Sequence, residues 1–347
     1  MLKCNLKIPE GYSSSLDIRE TQKAITFIKS SFQERLAEEL NLTRVSAPIL
    51  VLRKTGINDY LTGTEKPIRF NILNMNEEAE IVQALSKWKR VALADYGFTQ
   101  GEGLYTDMNA IRPDEILDNL HSVYVDQWDW ERVISRDERN LDFLKFIVRK
   151  IYKVIKEMEK SAREQFEKLQ VPFLPNKIQF IHSEDLFEMY PDLSPEEREN
   201  EICREKGAVF VIGIGAELKD GRPHDKRAAD YDDWLTETGS GRKGLNGDII
   251  VWYPLLQSAF ELSSMGIRVD RDSLLKQLEI KGEQDNVGLY FHQRLLQEDL
   301  PLTIGGGIGQ SRLCMLFLRK AHIGEVQSSV WPDDMVRNCK GSKIFLL

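Results

Sequence analysis

Cysteine and histidine are both scarce in this chain. The 347 residues include four cysteines, Cys4, Cys203, Cys314 and Cys339, which lie far apart without a C-x-x-C pair. This spacing favours free thiols in a reducing compartment over a disulfide framework, so we expect a cytoplasmic protein. The five histidines form no H-E-x-x-H motif or other close pair, which argues against a zinc site on a helix face. Any metal should therefore be a hard ion held by carboxylates.

Long apolar runs and basic tracts are missing as well. The longest apolar stretch, around residues 208–215, is too short to span a bilayer. The opening segment MLKCNLKIPEGYSSS has no apolar stretch of signal-peptide length, so we expect neither export nor membrane insertion. Lys and Arg total 47 against 55 Asp and Glu, a formal charge of −8. Without a basic tract to follow a phosphate backbone, no nucleic-acid partner is expected.

The composition is that of a globular domain, with 41% hydrophobic and 29% charged residues. A chain of this length can bury a large core without disulfides or metal ions. Because no repeat, low-complexity block or proline-rich linker divides it, we expect residues 1–347 to form a single domain. Helical and strand patterns are interspersed, which predicts an α+β fold with a mainly antiparallel sheet.

Three segments have clear helical patterns. Apolar residues recur every three or four positions over residues 20–40 and 137–169, and they predict two amphipathic helices. Ser194 and Glu197 form a capping box with proline at the first helical position. The pattern predicts a helix that ends at Gly207.

Strands are predicted in the first half of the chain. Residues 43–52 contain Pro48, which cannot donate to a ladder, so this strand should be an edge, a bulge or an interface element. A short strand followed by a helix is predicted over residues 79–93. Residues 103–112 and 121–133 should form an antiparallel pair.

The second half also has strand patterns, and these cover residues 208–215, 248–253 and 259–269. Ser263 and Ser264 lie on opposite faces of the last strand, so at most one should reach a substrate. The glycine run 305–309 should lead into a helix that begins near Ser311.

The segment 124–131 carries the first candidate site. Alternation with a period of two gives one strand face bearing Val125, Gln127, Asp129 and Glu131. A turn with Arg112 and Glu115 lies opposite, so the pair could hold a substrate ammonium and a phosphate. A solvated sheet face explains the same alternation equally well. Trp128 and Trp130 fall on the other face and are predicted to be core.

The glycine run is the second candidate. Glycines let a backbone approach a ligand closely, and Arg312 follows in the first turn of a helix, whose N-terminus favours anions such as the phosphates of ATP. No G-K-[ST] follows, and Gln310 stands where the last glycine of G-x-G-x-x-G would fall. A tight packing turn is the alternative interpretation.

Two carboxylates form the third candidate. Asp248 and Glu261 could supply oxygen ligands to Mg²⁺ on a triphosphate, with Arg268 on the γ-phosphate. Either carboxylate alone is more often solvated, so the interpretation depends on the combination of motifs.

The combination resembles a known superfamily. R-x-D-E from Arg112, Q-W-D-W-E from Gln127, E-L-x-x-x-G-x-R from Glu261 and G-I-G-x-x-R-L from Gly307 follow the order of motifs 2 and 3 of class II aminoacyl-tRNA synthetases, the aspartyl subgroup above all. Within that superfamily the chain resembles the ammonia-dependent asparagine synthetases, or aspartate–ammonia ligases. The resemblance spans nearly the whole chain and is carried by APIL, GEGLY, LHSVYVDQWDWERV, LNGDI, FELSSMGIRVD and TIGGGIGQSRL.

The resemblance implies a six- to eight-stranded antiparallel sheet flanked by helices, and a homodimer formed around Pro48. It also implies asparagine biosynthesis from L-aspartate, ATP with Mg²⁺, and free ammonia. The β-carboxylate of aspartate would attack the α-phosphorus to give β-aspartyl-AMP and pyrophosphate. Ammonia would then displace AMP.

The same resemblance assigns the ATP contacts. Arg112 would bind the α-phosphate and stabilise the charge that develops during transfer. Glu115 and Val125 would hold the nucleotide, and Arg312 would bind the γ-phosphate with Arg268 nearby. The Mg²⁺ ligands would be Asp248 and Glu261.

The remaining roles concern aspartate and ammonia. Aspartate would be held by Lys89, Gln127, Asp129 and Asp232. Asp59 would hold the incoming ammonium and help it to lose a proton, because only neutral ammonia is a nucleophile. Two alternatives stay open, namely that Lys89 is a surface charge and that Asp59 is only a turn residue.

One segment departs from the family pattern. Where the family usually reads H-S-L-A-K-W-K-R, this chain has Q-A-L-S-K-W-K-R, beginning at Gln83. Ala84 therefore replaces a serine that could contact the substrate, and its side chain cannot form a hydrogen bond. The affinity for aspartate, or the details of the pocket, should differ.

Three rival functions remain. A tRNA synthetase would need an anticodon-binding module, which this acidic chain lacks. A glutamine-dependent amidotransferase would need a cysteine nucleophile at its mature N-terminus, whereas Cys4 follows three other residues. A non-catalytic regulatory subunit would be expected to lose Arg112 or Arg312, and both are present.

Overall fold

The computed structural model describes residues 6–63, 65–169 and 171–347, so Cys4 lies outside the described residues. Within these ranges the α-helices, in chain order, are α1 (Ile18–Leu40), α2 (Ser86–Asp95), α3 (Leu141–Gln165), α4 (Ser183–Met189), α5 (Pro195–Lys206), α6 (Arg271–Lys281), α7 (Tyr290–Leu296), α8 (Gln310–Leu318) and α9 (Asp333–Gly341).

The strands of the same ranges are, in chain order, β1 (Leu42–Arg44), β2 (Leu50–Leu52), β3 (Arg69–Ile72), β4 (Glu77–Ile81), β5 (Gly103–Ile111), β6 (Tyr124–Val133), β7 (Gln179–His182), β8 (Ala208–Ile212), β9 (Glu237–Gly239), β10 (Arg242–Lys243), β11 (Asn246–Tyr253), β12 (Ser258–Ile267) and β13 (Thr303–Gly309).

An eight-stranded sheet in the order β1-β5-β6-β13-β12-β11-β8-β7 forms the main layer. Its two outermost pairs are parallel, and the pairs between them are antiparallel. A smaller sheet has the order β2-β4-β3, and β9 pairs with β10. The predicted α+β fold with a mainly antiparallel sheet of six to eight strands is therefore confirmed.

The main core lies on one face of this sheet, under α1, α3 and α8. Trp128 and Trp130 of β6 are fully buried there, and the Trp128 ring lies 4.7 Å from the ring of Phe32 in α1, measured between centroids. Their prediction as core residues is confirmed. Because side chains alternate along a strand, Gln127, Asp129 and Glu131 of β6 point to the opposite face. Asp126 lies on the core face and pairs with Lys29 of α1 at 2.8 Å.

The helix ends follow from local capping. Asp17 accepts from the backbone N–H of Glu20 at 2.8 Å, and the Glu20 carboxylate accepts from the N–H of Asp17 at 2.9 Å. Ser194 begins α5 in the same way, and Gly207 ends it as predicted. The helix predicted over residues 137–169 is shorter, because Asn140 caps its start by accepting from the N–H of Phe143.

The stretch 43–52 forms two strands, so the prediction of one strand was wrong. β1 pairs with β5 in the large sheet, and β2 pairs with β4 in the small one. Pro48 lies between them, where its missing N–H interrupts no ladder. Both strands are at sheet edges, which agrees with the predicted edge position.

The glycine run 305–309 belongs to a central strand, so its interpretation as a turn was wrong. β13 pairs with β6 on one side and β12 on the other. A Cβ atom on Gly305 would lie 2.0 Å from Oε2 of Glu131, and one on Gly307 would lie 2.4 Å from Oε1 of Gln127. Glycine is required because polar side chains of β6 cross over β13.

Most other predicted elements are confirmed with shifted ends. The strand predicted over residues 121–133 begins at Tyr124, and α8 begins at Gln310. The patterns missed β3, β7, β9, β10 and several helices, among them α6 and α7.

Cys203 and Cys314 are buried free thiols, and Cys339 is buried as well. No helix in the described ranges is both long and apolar enough to cross a membrane.

We expect Gly305→Ala to lower the free energy of unfolding by about 3 kcal/mol, the usual cost of breaking a buried ion pair, because the new methyl group displaces the Glu131 carboxylate. Urea denaturation measures the change. Gly288→Ala is the control, since its Cβ would meet no atom within 4 Å, and its effect should stay within about 0.5 kcal/mol. Equal midpoints for the two variants would contradict this account of the glycine strand.

Candidate active site

The polar face of the large sheet holds two adjoining cavities. The inner cavity is lined by, among others, Ala84, Ser86, Asp129, Asp232, Ser264 and Arg268. The outer cavity is lined by, among others, Glu115, His121, Val125, Glu261 and Arg312. Arg112, Gln127 and Gly307 line both cavities, so these residues form the junction through which two ligands would meet.

Arg268, directly after β12, is the centre of a buried ionic network at the inner cavity. Its Nε and Nη2 each donate to the Glu131 carboxylate at 2.9 Å, and its Nη1 donates to Asp232. Burial lowers the pKa of this guanidinium, but the two carboxylates outweigh burial and raise the pKa of Arg268 above its usual value. The network therefore carries a fixed positive charge between two negative ones.

Lys89 of α2 extends this network and is fully buried, so its interpretation as a surface charge was wrong. Its Nζ donates to the carbonyl oxygens of Trp130 at 3.0 Å and Gly306 at 3.2 Å. The same nitrogen lies 3.4 Å from Asp129 and 3.7 Å from Glu131. Lys89 thus lies behind the cavity wall and fixes the carboxylates that form it.

The inner cavity presents two carboxylates and several neutral polar groups. Asp129 accepts from the N–H of Leu85 at 3.1 Å, which ties it to the start of α2. Burial raises the pKa of Asp232, although Arg268 opposes this effect. Ser264 lines the cavity, whereas Ser263 is buried outside it, so one of the two serines reaches the cavity, as predicted.

Arg112 stands at the junction with unused hydrogen-bond donors. Its Nη2 donates to the carbonyl oxygen of Gln83 at 3.3 Å, and its Nε is buried without a partner in the described part of the chain. Burial lowers the pKa of Arg112, while the nearby Glu115 raises it. The side chain stays charged because arginine begins from so high a pKa. A desolvated cation with free donors favours an anionic ligand here.

Arg312 gives the outer cavity a second cation. Its Nη1 donates to the carbonyl oxygen of Glu261 at 2.9 Å and lies 3.4 Å from the Glu261 carboxylate. Arg268, which the sequence analysis expected beside Arg312, lies instead in the inner cavity. The buried Glu131 and Asp232 carboxylates hold it there by engaging its three nitrogens.

Asp248 and Glu261, the expected Mg²⁺ ligands, lie on the paired strands β11 and β12. Asp248 accepts from Arg227 at 2.7 Å through Oδ2, while its Oδ1 is buried without a partner in the described ranges. Burial and the Glu261 carboxylate raise the pKa of Asp248 to about 7, against the opposing effect of Arg227. An unsatisfied oxygen beside a second carboxylate fits a divalent cation.

Two carboxylates are enough for Mg²⁺, which usually takes its other ligands from phosphates and water. Within residues 6–63, 65–169 and 171–347, no three metal-binding side chains cluster to hold an ion by themselves. The residues present therefore fit a metal that arrives with a nucleotide.

Asp59 is fully buried at the N-terminus of α2. Its carboxylate accepts from the backbone N–H of Ser86, and from that of Lys87 at 3.4 Å, so its contacts are with α2. Burial raises the pKa of Asp59 to about 6; Lys87 opposes this effect and Asp230 adds to it. Because Ser86 lines the inner cavity, Asp59 lies directly behind that wall.

The sequence analysis missed several residues of the site. Glu131 appeared in the alternating pattern of β6 without a role, and Tyr231, which lines the inner cavity, lies in the D-Y-D-D-W run. Ser86 also lines the cavity, close to Ala84 in the chain. Arg227 had no motif to identify it, because its importance depends on the distant Asp248.

Comparisons with known proteins agree with this geometry. A family model described as aspartate–ammonia ligase matches residues 19–343. The aspartate–ammonia ligase of Parabacteroides distasonis is 54% identical over 340 residues and 98% of each chain. That of Bacillus cytotoxicus is 55% identical over 335 residues, or 96% of this chain and 99% of the relative.

The chain belongs to the aspartate–ammonia ligase family. More distant solved structures share its fold. Asparaginyl-tRNA synthetase from Pyrococcus horikoshii, complexed with asparaginyl-adenylate, has a TM-score of 0.67 at 17% identity, over 91% of this chain and 71% of that one. The asparaginyl-tRNA synthetase of Entamoeba histolytica, in complex with the same adenylate, has a TM-score of 0.66 at 14% identity. The match covers 89% of this chain and 66% of that one. The predicted class II synthetase-like fold is thereby confirmed for this member of the ligase family.

Asp59→Asn should reduce the loss of stability as the pH rises. The folded protein keeps a proton on Asp59 up to about pH 6, whereas an unperturbed aspartate, with its pKa of 3.8, releases the proton earlier. Ionisation of Asp59 therefore destabilises the fold progressively between these values, by up to about 3 kcal/mol. Urea denaturation should show that the free energy of unfolding of the variant, relative to that of the parent protein, is higher at pH 7 than at pH 4. A difference that does not change with pH would contradict the raised pKa.

Proposed function

We propose that this chain catalyses the ATP-dependent amidation of L-aspartate by ammonia, in asparagine biosynthesis. The β-carboxylate of aspartate attacks the α-phosphorus of ATP, giving β-aspartyl-AMP and pyrophosphate, and ammonia then displaces AMP. The observation that carries the proposal is the junction, where Arg112 and Gln127 line both a cationic outer cavity and a carboxylate-lined inner one. Its relatives of more than 50% identity are named aspartate–ammonia ligases.

The outer cavity is proposed to bind ATP. Arg112, with its unused donors, neutralises the α-phosphate and the charge that develops there during transfer. Arg312 binds the γ-phosphate end, while Glu115 and Val125 contact the nucleotide from the other wall. Arg112 thus reaches both the attacking and the attacked group, which is the geometry that adenylation requires.

The inner cavity is proposed to bind aspartate. Asp129 and Asp232 accept from its ammonium group, and Gln127 donates to a carboxylate oxygen. Arg268 faces the same cavity and compensates its negative charge. Lys89 acts from behind the wall by holding Asp129 in place.

Asp248 and Glu261 are proposed to hold Mg²⁺, together with phosphate oxygens and water. The ion would neutralise phosphate charge as ATP binds. Asp59 is proposed to take a proton from ammonium, and a carboxyl with a raised pKa is better suited to that task near neutral pH than an ordinary aspartate.

We further propose that residues 1–347 act as a single catalytic domain within a cytoplasmic homodimer. Exposed apolar side chains on the small sheet and its loops support an interface there: Ile49, Leu50, Ile68, Phe70, Leu73 and Met75. Exposed apolar clusters of this kind mark protein–protein contacts. The buried free thiols of Cys203 and Cys314 are consistent with a reducing compartment.

Product analysis tests the reaction. The protein is incubated with aspartate and Mg-ATP, and with either ammonium chloride or glutamine. Asparagine and AMP formed together with ammonium alone support the proposal. Formation of asparagine from glutamine would favour an amidotransferase, and nucleotide binding without turnover would favour a regulatory subunit.

Arg112→Ala should abolish aspartate-dependent exchange of pyrophosphate into ATP, with a loss of at least about 100-fold, as for other charge-stabilising groups at a reacting centre. The exchange assay measures the first half-reaction alone. Arg222→Ala is a matched control, since that arginine is largely exposed and its one ion pair within the described residues is with Asp220. An Arg112→Ala variant that keeps normal exchange would remove Arg112 from the proposed mechanism.

Asp59→Asn should separate the two half-reactions. Adenylate formation, which the pyrophosphate exchange assay measures, should persist in part because Asp59 lines neither the inner nor the outer cavity. Asparagine formation should fall by about 100-fold or more, the usual contribution of a proton-accepting group. Equal losses in the two assays would show that Asp59 serves only to position α2.

A further inference from the structure

A third cavity lies on the far side of Asp59 from the inner cavity. We call it the lateral cavity, and it is lined by, among others, Tyr60, Gly63, Lys87, Asp230, Glu283 and His292. Its volume is about 480 Å³, many times the roughly 30 Å³ that one water-sized molecule occupies. A small hydrated ion therefore has ample room.

One layer of residues separates the lateral and inner cavities. Leu61 and Ser86 line the inner cavity, whereas their neighbours Tyr60 and Lys87 line the lateral one. Asp59 is buried between them and accepts from the backbone N–H groups of both Ser86 and Lys87. Its carboxylate is therefore placed at the dividing wall.

The cations around the lateral cavity are already paired. Lys87 contacts Asp230 at 2.7 Å, Arg53 contacts Glu78 at 2.8 Å, and Arg69 contacts Glu80 at 2.9 Å. Asp230 also lies 3.1 Å from Nε2 of His292. Their charge is consequently unavailable to an anionic ligand, and the cavity does not favour one.

A carboxylate of the lateral cavity remains unused. Glu283 has no side-chain ion pair or hydrogen bond in the described part of the chain. Burial and the neighbouring Asp230 raise the pKa of Glu283, while Lys281 and Lys87 oppose this effect. His292 is fully buried, and its Nδ1 has no partner among the described residues. A small cation with several N–H donors matches the free carboxylate of Glu283 and the nearby Asp230.

The order of the proposed reaction requires a second entrance. Once the adenylate has formed, its nucleotide fills the outer cavity and its aspartyl group fills the inner one. The nitrogen nucleophile must then arrive from another side, and Tyr60 and Lys87, which line the lateral cavity, adjoin Asp59 in the dividing wall.

We propose that the lateral cavity is the entry site for ammonium, which collects between Glu283 and Asp230 and passes Asp59 into the inner cavity as ammonia. One N–H bond breaks in this passage, the proton moves to the Asp59 carboxylate, and the nitrogen keeps the electron pair. No other bond changes. The inference rests on the proposed function, because it assigns a route to that function's nitrogen substrate.

Glu283→Gln tests the entry site, since it removes the free carboxylate with little change in shape. The KM for ammonium should rise about tenfold, the effect of losing one charged hydrogen bond. The kcat, the KM for aspartate and the pyrophosphate exchange should not change. Glu279→Gln is the control, because it removes the same charge from an exposed position on α6 outside the cavity.

Asn286→Phe provides a second variant that narrows the lateral cavity without removing charge. It should lower kcat/KM for ammonium while leaving the exchange reaction intact. If the parent protein makes asparagine and neither variant changes its use of ammonium, the entry site is overturned and the proposed function stands. If the parent protein makes no asparagine from ammonium, both the proposed function and the entry site fail.

Discussion

The site depends on keeping charged side chains buried beside β13, a strand in which four of the seven residues are glycine. Arg268 is held between Glu131 and Asp232, and Lys89 reaches Glu131 from the other side. Buried charges are tolerated only when they are fully paired, and removing one partner costs several kcal/mol. The glycines of β13 make that pairing possible, because a Cβ at Gly305 would occupy the position of the Glu131 carboxylate.

The same arrangement gives the inner cavity its chemistry. Because Glu131 and Lys89 are satisfied beneath the wall, Asp129 and Asp232 are held at the surface of the cavity with their orientation fixed. Preorganised charges of this kind need little rearrangement when a substrate binds. The outer cavity has the opposite character, with Arg112 and Arg312 in its walls. A carboxylate-lined cavity for an amino group thus meets a cationic cavity for phosphates at Arg112.

Much of this was predictable from short-range patterns. The alternation in β6 correctly separated Trp128 and Trp130 from the polar face, because strand geometry fixes that alternation whatever the surroundings. The capping residues Ser194 and Gly207 likewise predicted the ends of α5, because a cap depends only on residues nearby in the chain. The patterns singled out Arg112 and Arg312 separately, but their shared role came from family resemblance, since no spacing rule places the two together.

The failures had a common physical cause, which is dependence on distant partners. The glycine run looked like a turn, because the need for glycine arises from side chains of β6, a strand far away in the sequence. The alternative that Lys89 is an exposed charge was wrong, because Asp129 and Glu131 lie within 3.7 Å of its Nζ. Arg268 was placed with the phosphates because its buried carboxylate partners could not be foreseen.

The most direct test of the proposed chemistry follows an oxygen atom. If the β-carboxylate in the inner cavity attacks the α-phosphorus in the outer one, aspartate labelled with oxygen-18 in that carboxylate must transfer one labelled oxygen to AMP. Mass spectrometry of the nucleotides after turnover with ammonium should therefore find labelled AMP and unlabelled pyrophosphate. Label in orthophosphate or pyrophosphate, with none in AMP, would contradict an aspartyl-adenylate and the junction at Arg112.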